Sequence, residues 1–331
     1  MRQRRRSALG VALFCLFIVI SLSTGSAQPT TPGLEEVNFG LNAPGAANWI
    51  YYIAQRQGFF RDEGLRVQTI TSGTPTNTIN LLASGEVQLA LNGTDLLIES
   101  IAHHLPIKII APELIPNPYV LLAQPSISSW AQLKGKSVLL GPKGDTSSIT
   151  FTLLVRAQHF DVNEFSIVPG STSSARYAGL ISGHVGATVL SQPFSILATQ
   201  KGMRVIAVAA DIVKDWLDTC FAVNTTWAAT HRSIVVRMMR ALRKAAAYGY
   251  SHPDAAMAAL VAEIHVSPQV ASVVYDQDFR QRHAFDPHLN MNTKGLSFMV
   301  QLVLQERLIE TVPPVTELFD PSFVAEAAQG A

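Results

Sequence analysis

Four short loops carry the side chains best suited to holding a small molecule. They are Ser72-Gly73-Thr74-Pro75, Asn92-Gly93-Thr94, Gly141-Pro142-Lys143-Gly144-Asp145-Thr146-Ser147 and Ser191-Gln192-Pro193. Each follows an apolar run that reads as a strand and opens a segment that reads as a helix. A helix start presents unpaired backbone N–H groups and partial positive charge, so several converging ones can bind an oxyanion without a formal cation. Capping alone explains Ser, Thr, Asp or Pro at any single helix start; their recurrence after four strands is the informative part. A fifth loop, Asn42 to Gly45, follows the first strand. It places Asn42 and, one turn later, Trp49 where a flat ligand could be met. Tyr51 and Tyr52 follow Trp49 and are weaker stacking candidates, because aromatic side chains in a helix more often fill a core. The expected ligand-binding set is therefore Asn42, Trp49, Ser72, Gly73, Thr74, Asn92, Gly93, Thr94, Asp145, Thr146, Ser147, Ser191 and Gln192.

Asp145 has two readings. As an N-cap it neutralises the helix end and opposes an anion there; pointing into a cleft, it favours an amino or ring N–H donor. Catalytic residues, a metal site and a cofactor are not expected. The histidines at 103, 104, 159, 184, 231, 252, 265, 283 and 288 form no helical metal-ligand spacing with Asp, Glu or Cys. There is no Gly-x-Ser-x-Gly elbow. The glycines of Gly141 to Ser147 are separated by two residues, where a nucleotide phosphate loop needs four.

The elements that position these loops follow an α/β pattern. Val37 to Leu41 alternates as a strand; Ala46, Ile50, Ile53 and Ala54 form the apolar face of a helix that Gly58 ends; Leu65, Val67 and Thr69 make the next strand. Further strands are expected at 87–91, 107–111, 119–123, 137–141, 165–168, 187–190 and 205–209, with helices at 75–83, 94–103, 146–159, 173–181 and 193–199. Thr219 to Asn224 reads as a return crossing. Two stretches echo each other, Leu81 to Ala90 and Gly179 to Thr188: each is a helix end, a Ser-Gly stop and a buried strand. That echo suggests two lobes on one plan, with the Asn92 and Ser191 loops facing across a cleft. After Trp227 the chain reads as helical, with stripes Ile234, Met238, Leu242, Ala245 and Leu296, Met299, Val300, Leu304 packing on the first lobe. No function is visible in that tail.

The 331 residues, 48% of them hydrophobic, suffice for two α/β units. The first 27 read as a cleaved export signal: Arg2, Arg4, Arg5 and Arg6, an apolar run from Ala8 to Ser21, and Gly25-Ser26-Ala27 as the cleavage site. The uninterrupted run Ala8 to Ile20 is shorter than the ~20 residues of a spanning helix. The general secretory route suits it better than the twin-arginine route, and Cys15 lacks the small residues of a lipobox. Removing this leader leaves 21 basic against 24 acidic residues, near −3, with no basic excess for nucleic acid. Only Cys220 remains, which excludes a disulfide and a thiolate metal site.

A resemblance rests on Ala54, Gly58-Phe59-Phe60, Glu63-Gly64-Leu65 and Val67, then Ser84-Gly85, with Leu133-Lys-Gly-Lys136 further on. These residues resemble the signature of solute-binding proteins of ABC importers, in the SsuA/THI5-like (NMT1) branch of nitrate, sulfonate, taurine and pyrimidine binders. The likeness runs from about Val37 to Trp227. It implies an α/β, two-lobed periplasmic-binding-protein fold of the class II type, each lobe a mainly parallel sheet flanked by helices. Two hinge crossings and a helical C-terminal tail packed on the first lobe complete it. The implied organisation is signal peptide 1–27, flexible mature N-terminus 28–35, first lobe 36–122 with 220–331, and second lobe 123–219. The implied function is capture of a small polar or anionic solute (sulfonate, nitrate, aromatic carboxylate or pyrimidine-like) by hinge closure in the periplasm. Delivery would be to a membrane permease with its ATPase, by a monomer. A periplasmic sensor subunit is the alternative, and a secreted or thiamine-pyrimidine enzyme a further one; that enzyme branch uses a cysteine-rich motif this chain lacks. The family commonly has an aspartate in the strand after each Ser-Gly stop, where this chain has Gln88 and Gly186. Ligand assignment by analogy is weaker for it.

Overall fold

The computed structural model describes residues 33–170 and 172–329; the expected export signal lies outside them. Ten strands alternate with helices: β1 (Glu35–Leu41), β2 (Leu65–Thr71), β3 (Leu89–Gly93), β4 (Ile107–Leu114), β5 (Val120–Ala123), β6 (Ser137–Leu140), β7 (Ser166–Pro169), β8 (Ala187–Leu190), β9 (Arg204–Val208) and β10 (Thr219–Asn224). They form two five-stranded sheets, one ordered β2-β1-β3-β10-β4 and the other β7-β6-β8-β5-β9. In the first, β1 pairs in parallel with β2 and β3, while β10 runs antiparallel to β3 and β4. In the second, β6 pairs in parallel with β7 and β8, while β5 runs antiparallel to β8 and β9. The plans are superimposable. The echoing stretches end on β3 and β8, which hold the same central place in their sheets.

In each sheet the antiparallel strand is the first one the chain forms after a crossing. The chain leaves the first sheet after β4 and enters the second through β5; it returns through β10, which inserts between β3 and β4. These are the two crossings of a hinge, at 115–119 and 213–218; Thr219 to Asn224, expected as the return crossing itself, is a strand of the first sheet.

Local sequence explains the elements. In β1, Val37, Phe39 and Leu41 are buried on one face against Trp49, Ile50 and Ile53 of the helix Trp49–Arg56. Gly40 lies under the helix Pro75–Ser84, where an added Cβ would stand 3.1 Å from both Thr78 and Val87. Gly58, at φ 75°, turns the chain out of its helix. The strand expected at 87–91 begins two residues later. The Gln88 side chain takes the Asn38 amide at 2.8 Å and reaches the Gly85 carbonyl at 2.9 Å, while its backbone bonds Asn38 and Asn224 at 3.0 Å, so the regular strand is taken up at Leu89 on a ladder begun one residue earlier. Conversely β4 runs past Ala111 through Pro112, which an edge strand tolerates because no neighbour needs its missing N–H.

Both faces of the first sheet are covered by large apolar clusters, and the C-terminal helices supply much of each. Ile234, Met238, Leu242 and Ala245 of the helix Arg232–Ser251 are all buried, as are Leu296, Met299 and Val300 of the helix Thr293–Gln305, with Leu304 half-buried. Smaller clusters serve the second sheet. No helix among the described residues is long and apolar enough to cross a membrane.

Candidate functional site

Between the sheets lies a cleft of about 960 Å³ of empty space, counting the part open to solvent. Its walls are loops at the C-terminal ends of strands, where α/β sheets hold ligands. Asn42, Asn92 and Gly93 from the first sheet face Asp145, Thr146, Ser191 and Gln192 from the second. The floor is made by both crossings: Pro118 and Tyr119 from one, Asp218 and Thr219 from the other.

The remaining candidates stand elsewhere. Trp49 does not face the cleft. It is fully buried, its Nε1 donates to the Ala256 carbonyl at 2.7 Å, and its ring meets Tyr275, Phe279 and Phe285 edge-on at 5.0–6.4 Å between centroids. The reason is a short 3₁₀ turn, Ala46–Asn48, inserted before the helix. It rotates Trp49 onto the core face and leaves Ala46, Ala47 and Asn48 on the cleft wall. Tyr51 stacks on Phe39 at 4.3 Å, and the Tyr52 hydroxyl accepts from the backbone of Gly45 and from Asn48, bracing the Asn42 loop.

Ser72, Gly73 and Thr74 lie behind the wall. Thr74 caps the helix Pro75–Ser84 by accepting from Asn77. Ser72 bonds the Thr78 hydroxyl at 2.6 Å, and Thr78 donates to Asn42 Oδ1 at 2.6 Å. The pair thus holds Asn42 in place. Thr94 is buried against the Cys220 thiol at 3.3 Å. Burial pushes that thiol up to about 12. Ser147 is buried too, donating to Asp145 Oδ1 at 2.5 Å and accepting from the Gly141 amide. Asp145 caps the helix Thr146–Ala157 by accepting from the Ser147 amide, as the first of its two readings has it, and it also lines the cleft.

The structure adds residues the sequence did not single out, three of them acidic. Asp218 is 3% exposed, and burial raises its carboxyl to about 7; one oxygen accepts from Trp216 Nε1 at 3.0 Å. Asp95, buried directly below Gly93, accepts from Thr146 Oγ1 at 3.0 and 2.9 Å across the cleft. Burial first, then the neighbouring Asp145, holds the Asp95 carboxyl well above the ordinary range. Gly93 is needed at this meeting point: a Cβ there would collide with Asp95 and stand 3.0 Å from Thr146 Oγ1. Asp278, from the C-terminal tail, lines the cleft on the other side; burial raises it to about 7 against the opposing pull of Arg282. Arg176 is the one basic side chain lining the cleft among the described residues, and it is tied to the Val189 carbonyl at 3.0 Å and Ser173 Oγ at 3.1 Å. Tyr119 and Phe194 give the cleft its aromatic surface. The Thr219 hydroxyl is buried with no hydrogen-bond partner among the described residues.

Chemically, the cleft is a carboxylate-lined space with amide and hydroxyl groups and one aromatic ring on its floor. An anionic solute would meet carboxyl groups that burial already holds back from ionising, Asp218 among them, and would add charge to a site that resists it. Amino and ring N–H donors would be met by acceptors. No group of three or more His, Cys, Asp or Glu arranged to hold a metal exists among the described residues.

Two lobes on one plan, joined by two crossings around a cleft, define the periplasmic-binding-protein fold. A solved structure with that fold, the ligand-binding component of an ABC-type import system from Staphylococcus aureus, matches with a TM-score of 0.76 over 88% of this chain and 99% of that one, at 14% identity. Residues 47–256 match the family described as NMT1/THI5 like, and the chain belongs to that family. Among its relatives are a formylaminopyrimidine-binding protein of Halalkalibacterium halodurans, 31% identical over 38% of this chain and 39% of that one. Another is a 4-amino-5-hydroxymethyl-2-methylpyrimidine phosphate synthase of Aspergillus parasiticus, 24% identical over 62% of this chain and 64% of that one. The chain spans less than two thirds of the length of these curated relatives.

Proposed function

We propose that this protein is the solute receptor of an ABC importer and that its ligand is a small nitrogen-rich ring of the aminopyrimidine kind. The observation that carries the ligand class is the acidic lining. Asp145 and Asp218 face the cleft with Asp95 beneath them, and Arg176 is already engaged by protein acceptors. An amino group and ring N–H satisfy such carboxyl oxygens, whereas sulfonate or nitrate brings a negative charge to a site where burial already disfavours one. The buried Thr219 hydroxyl offers a further unmatched polar group, and Tyr119 a ring to stack on. The name of the Halalkalibacterium relative supports the same class.

The mechanism is differential binding. A ligand touching Asn42 and Asn92 on one side and Asp145 and Ser191 on the other makes all its contacts only when the lobes are closed, so it shifts the hinge equilibrium, and a permease with its ATPase reads the closed shape. The expected export signal and the fold support a periplasmic location. A sensor subunit would use the same motion; neighbouring permease and ATPase genes separate the two.

The Aspergillus relative's name is that of an enzyme, so turnover is the second reading. No histidine or cysteine lines the cleft among the described residues, which favours binding over nucleophilic or acid–base work.

The test is a thermal-shift panel of aminopyrimidines, alkanesulfonates, nitrate and aromatic carboxylates. A cognate ligand at ~100 times its dissociation constant adds ~2.7 kcal/mol of stability. Stabilisation by a sulfonate or nitrate and none by any aminopyrimidine would overturn the ligand class. Consumption of a stabilising ligand on incubation would favour the enzyme.

A further inference from the structure

The C-terminal tail, in which the sequence shows no function, reaches the cleft through one irregular turn. The helix Pro268–Tyr275 continues into a π-helical turn, Asp276–Gln281. A π turn inserts an extra residue and changes which side chains share a face, and such turns gather at functional sites. Here Phe279 stays in the core, fully buried against Trp49, Tyr275 and Phe285, while Asp278 is brought to the cleft wall.

Opposite it, from the loop after β8, comes Gln192. Its side chain, 3% exposed, is turned away from the centre of the cleft and towards the tail. With the amide nitrogen facing Asp278, it lies 2.9 Å from Oδ1 and 2.5 Å from Oδ2, and its oxygen lies 3.1 Å from Arg282 Nη1. Arg282 in turn is bonded to Asp278 Oδ1 at 3.2 Å. The Gln192 carbonyl accepts from the Ala46 amide at 3.5 Å, a second link from the same loop to the first lobe. A carboxylate, a guanidinium and an amide thus close a triangle, with the Gln277 side chain against the same Gln192 amide. Gln192 belongs to the second sheet and Asp278 and Arg282 to helices packed on the first, so the triangle exists only when the lobes are together.

We propose that Gln192, Asp278 and Arg282 form a clasp between the lobes that sets how far the hinge favours the closed form, so that Gln192 acts on ligand affinity as a positioning residue through lobe closure. The assignment rests on hinge closure as the mode of action and not on the identity of the ligand. It also gives a purpose to a segment beyond the stretch that matches the family, which ends at residue 256. Charge-assisted hydrogen bonds between buried partners are the strong ones, and losing this set changes the closed-to-open ratio by roughly 10- to 100-fold.

The experiment uses the ligand-free full chain carrying spin labels at two exposed positions, Lys201 and Asp254, one on each lobe. Cys220, fully buried, does not take the label. Distance distributions are recorded for the otherwise unchanged chain, for Gln192→Ala, for Asp278→Asn and for the double variant. The clasp predicts a long-distance population that grows about 10- to 100-fold relative to the short one in Gln192→Ala, with no further growth in the double variant. Two populations that keep the same ratio in all four proteins would overturn the clasp and leave hinge motion standing. A single unchanging distance in all four would overturn the clasp and hinge closure together. Should Asp278→Asn fail to fold, Gln192→Ala against the parent decides the question alone.

Discussion

Asp218 offers the sharpest test of the acidic cleft. It is almost fully buried, one oxygen is held by Trp216 Nε1, and burial raises its carboxyl from 3.8 to about 7. Such a displacement corresponds to roughly 4 kcal/mol between the ionised and neutral forms. Because the folded-state value lies above the unfolded one, the folded state holds the proton more tightly, and its stability falls as pH rises from about 4 through about 7. Asp218→Asn keeps an oxygen for Trp216 and cannot ionise. The variant is therefore expected to be near parent stability at pH 4 and more stable at pH 8, by an amount bounded by roughly 4 kcal/mol. Urea unfolding of both proteins across this range, without ligand, measures it. A difference that does not change with pH would show that Asp218 does not titrate on folding, and would remove the physical basis for calling the cleft acidic. The same variant should weaken an aminopyrimidine by about 10-fold or more at pH 8, where Asp218 is ionised and an asparagine is not.

Trp49→Ala is expected to destabilise the fold by about 3–5 kcal/mol, as a large side chain leaves a filled core, whereas Tyr119→Ala should lower affinity for an aromatic ligand with a much smaller change in unfolding midpoint. Calorimetric titration beside urea unfolding separates the two, and the opposite pattern would return Trp49 to the cleft. Thr146→Val removes the hydroxyl that donates to Asp95 and should cost about 1–3 kcal/mol in urea unfolding, for a buried acceptor left without its donor; an unchanged midpoint would show that the bridge contributes nothing.

Much of the fold was legible because apolar periodicity and helix punctuation are local. Strands β1 to β9 and the stripe at Ile234, Met238 and Leu242 follow from spacing, and the repeated Ser-Gly stop revealed the two equivalent central strands. The loops facing one another across the cleft followed from that symmetry. The carboxylates did not. Asp95 reads as an ordinary first-turn acid, and Asp218 as the polar end of a loop; only the tertiary arrangement buries both beside Asp145. Trp49 was misassigned because one 3₁₀ turn rotated its helix. Asp278 carried no signal at all, since a π turn leaves no mark in hydrophobic spacing. A usable hint lay in Pro116-Asn117-Pro118 and Thr219: both bracket the crossings, and crossings form the floor of the cleft.

The order of the strands along the chain decides how such a molecule can be divided. All five strands of the second sheet, β5 to β9, come from one unbroken stretch, whereas the first sheet is closed by β10, which lies between β3 and β4 and arrives only after the second crossing. Severed at either crossing, the chain would leave the first sheet without a strand from its middle, exposing two unpaired backbone edges where a continuous ladder had been. The halves share a plan, yet they are not equally separable: one is a single run of backbone, and the other is completed only by the segment that returns to it.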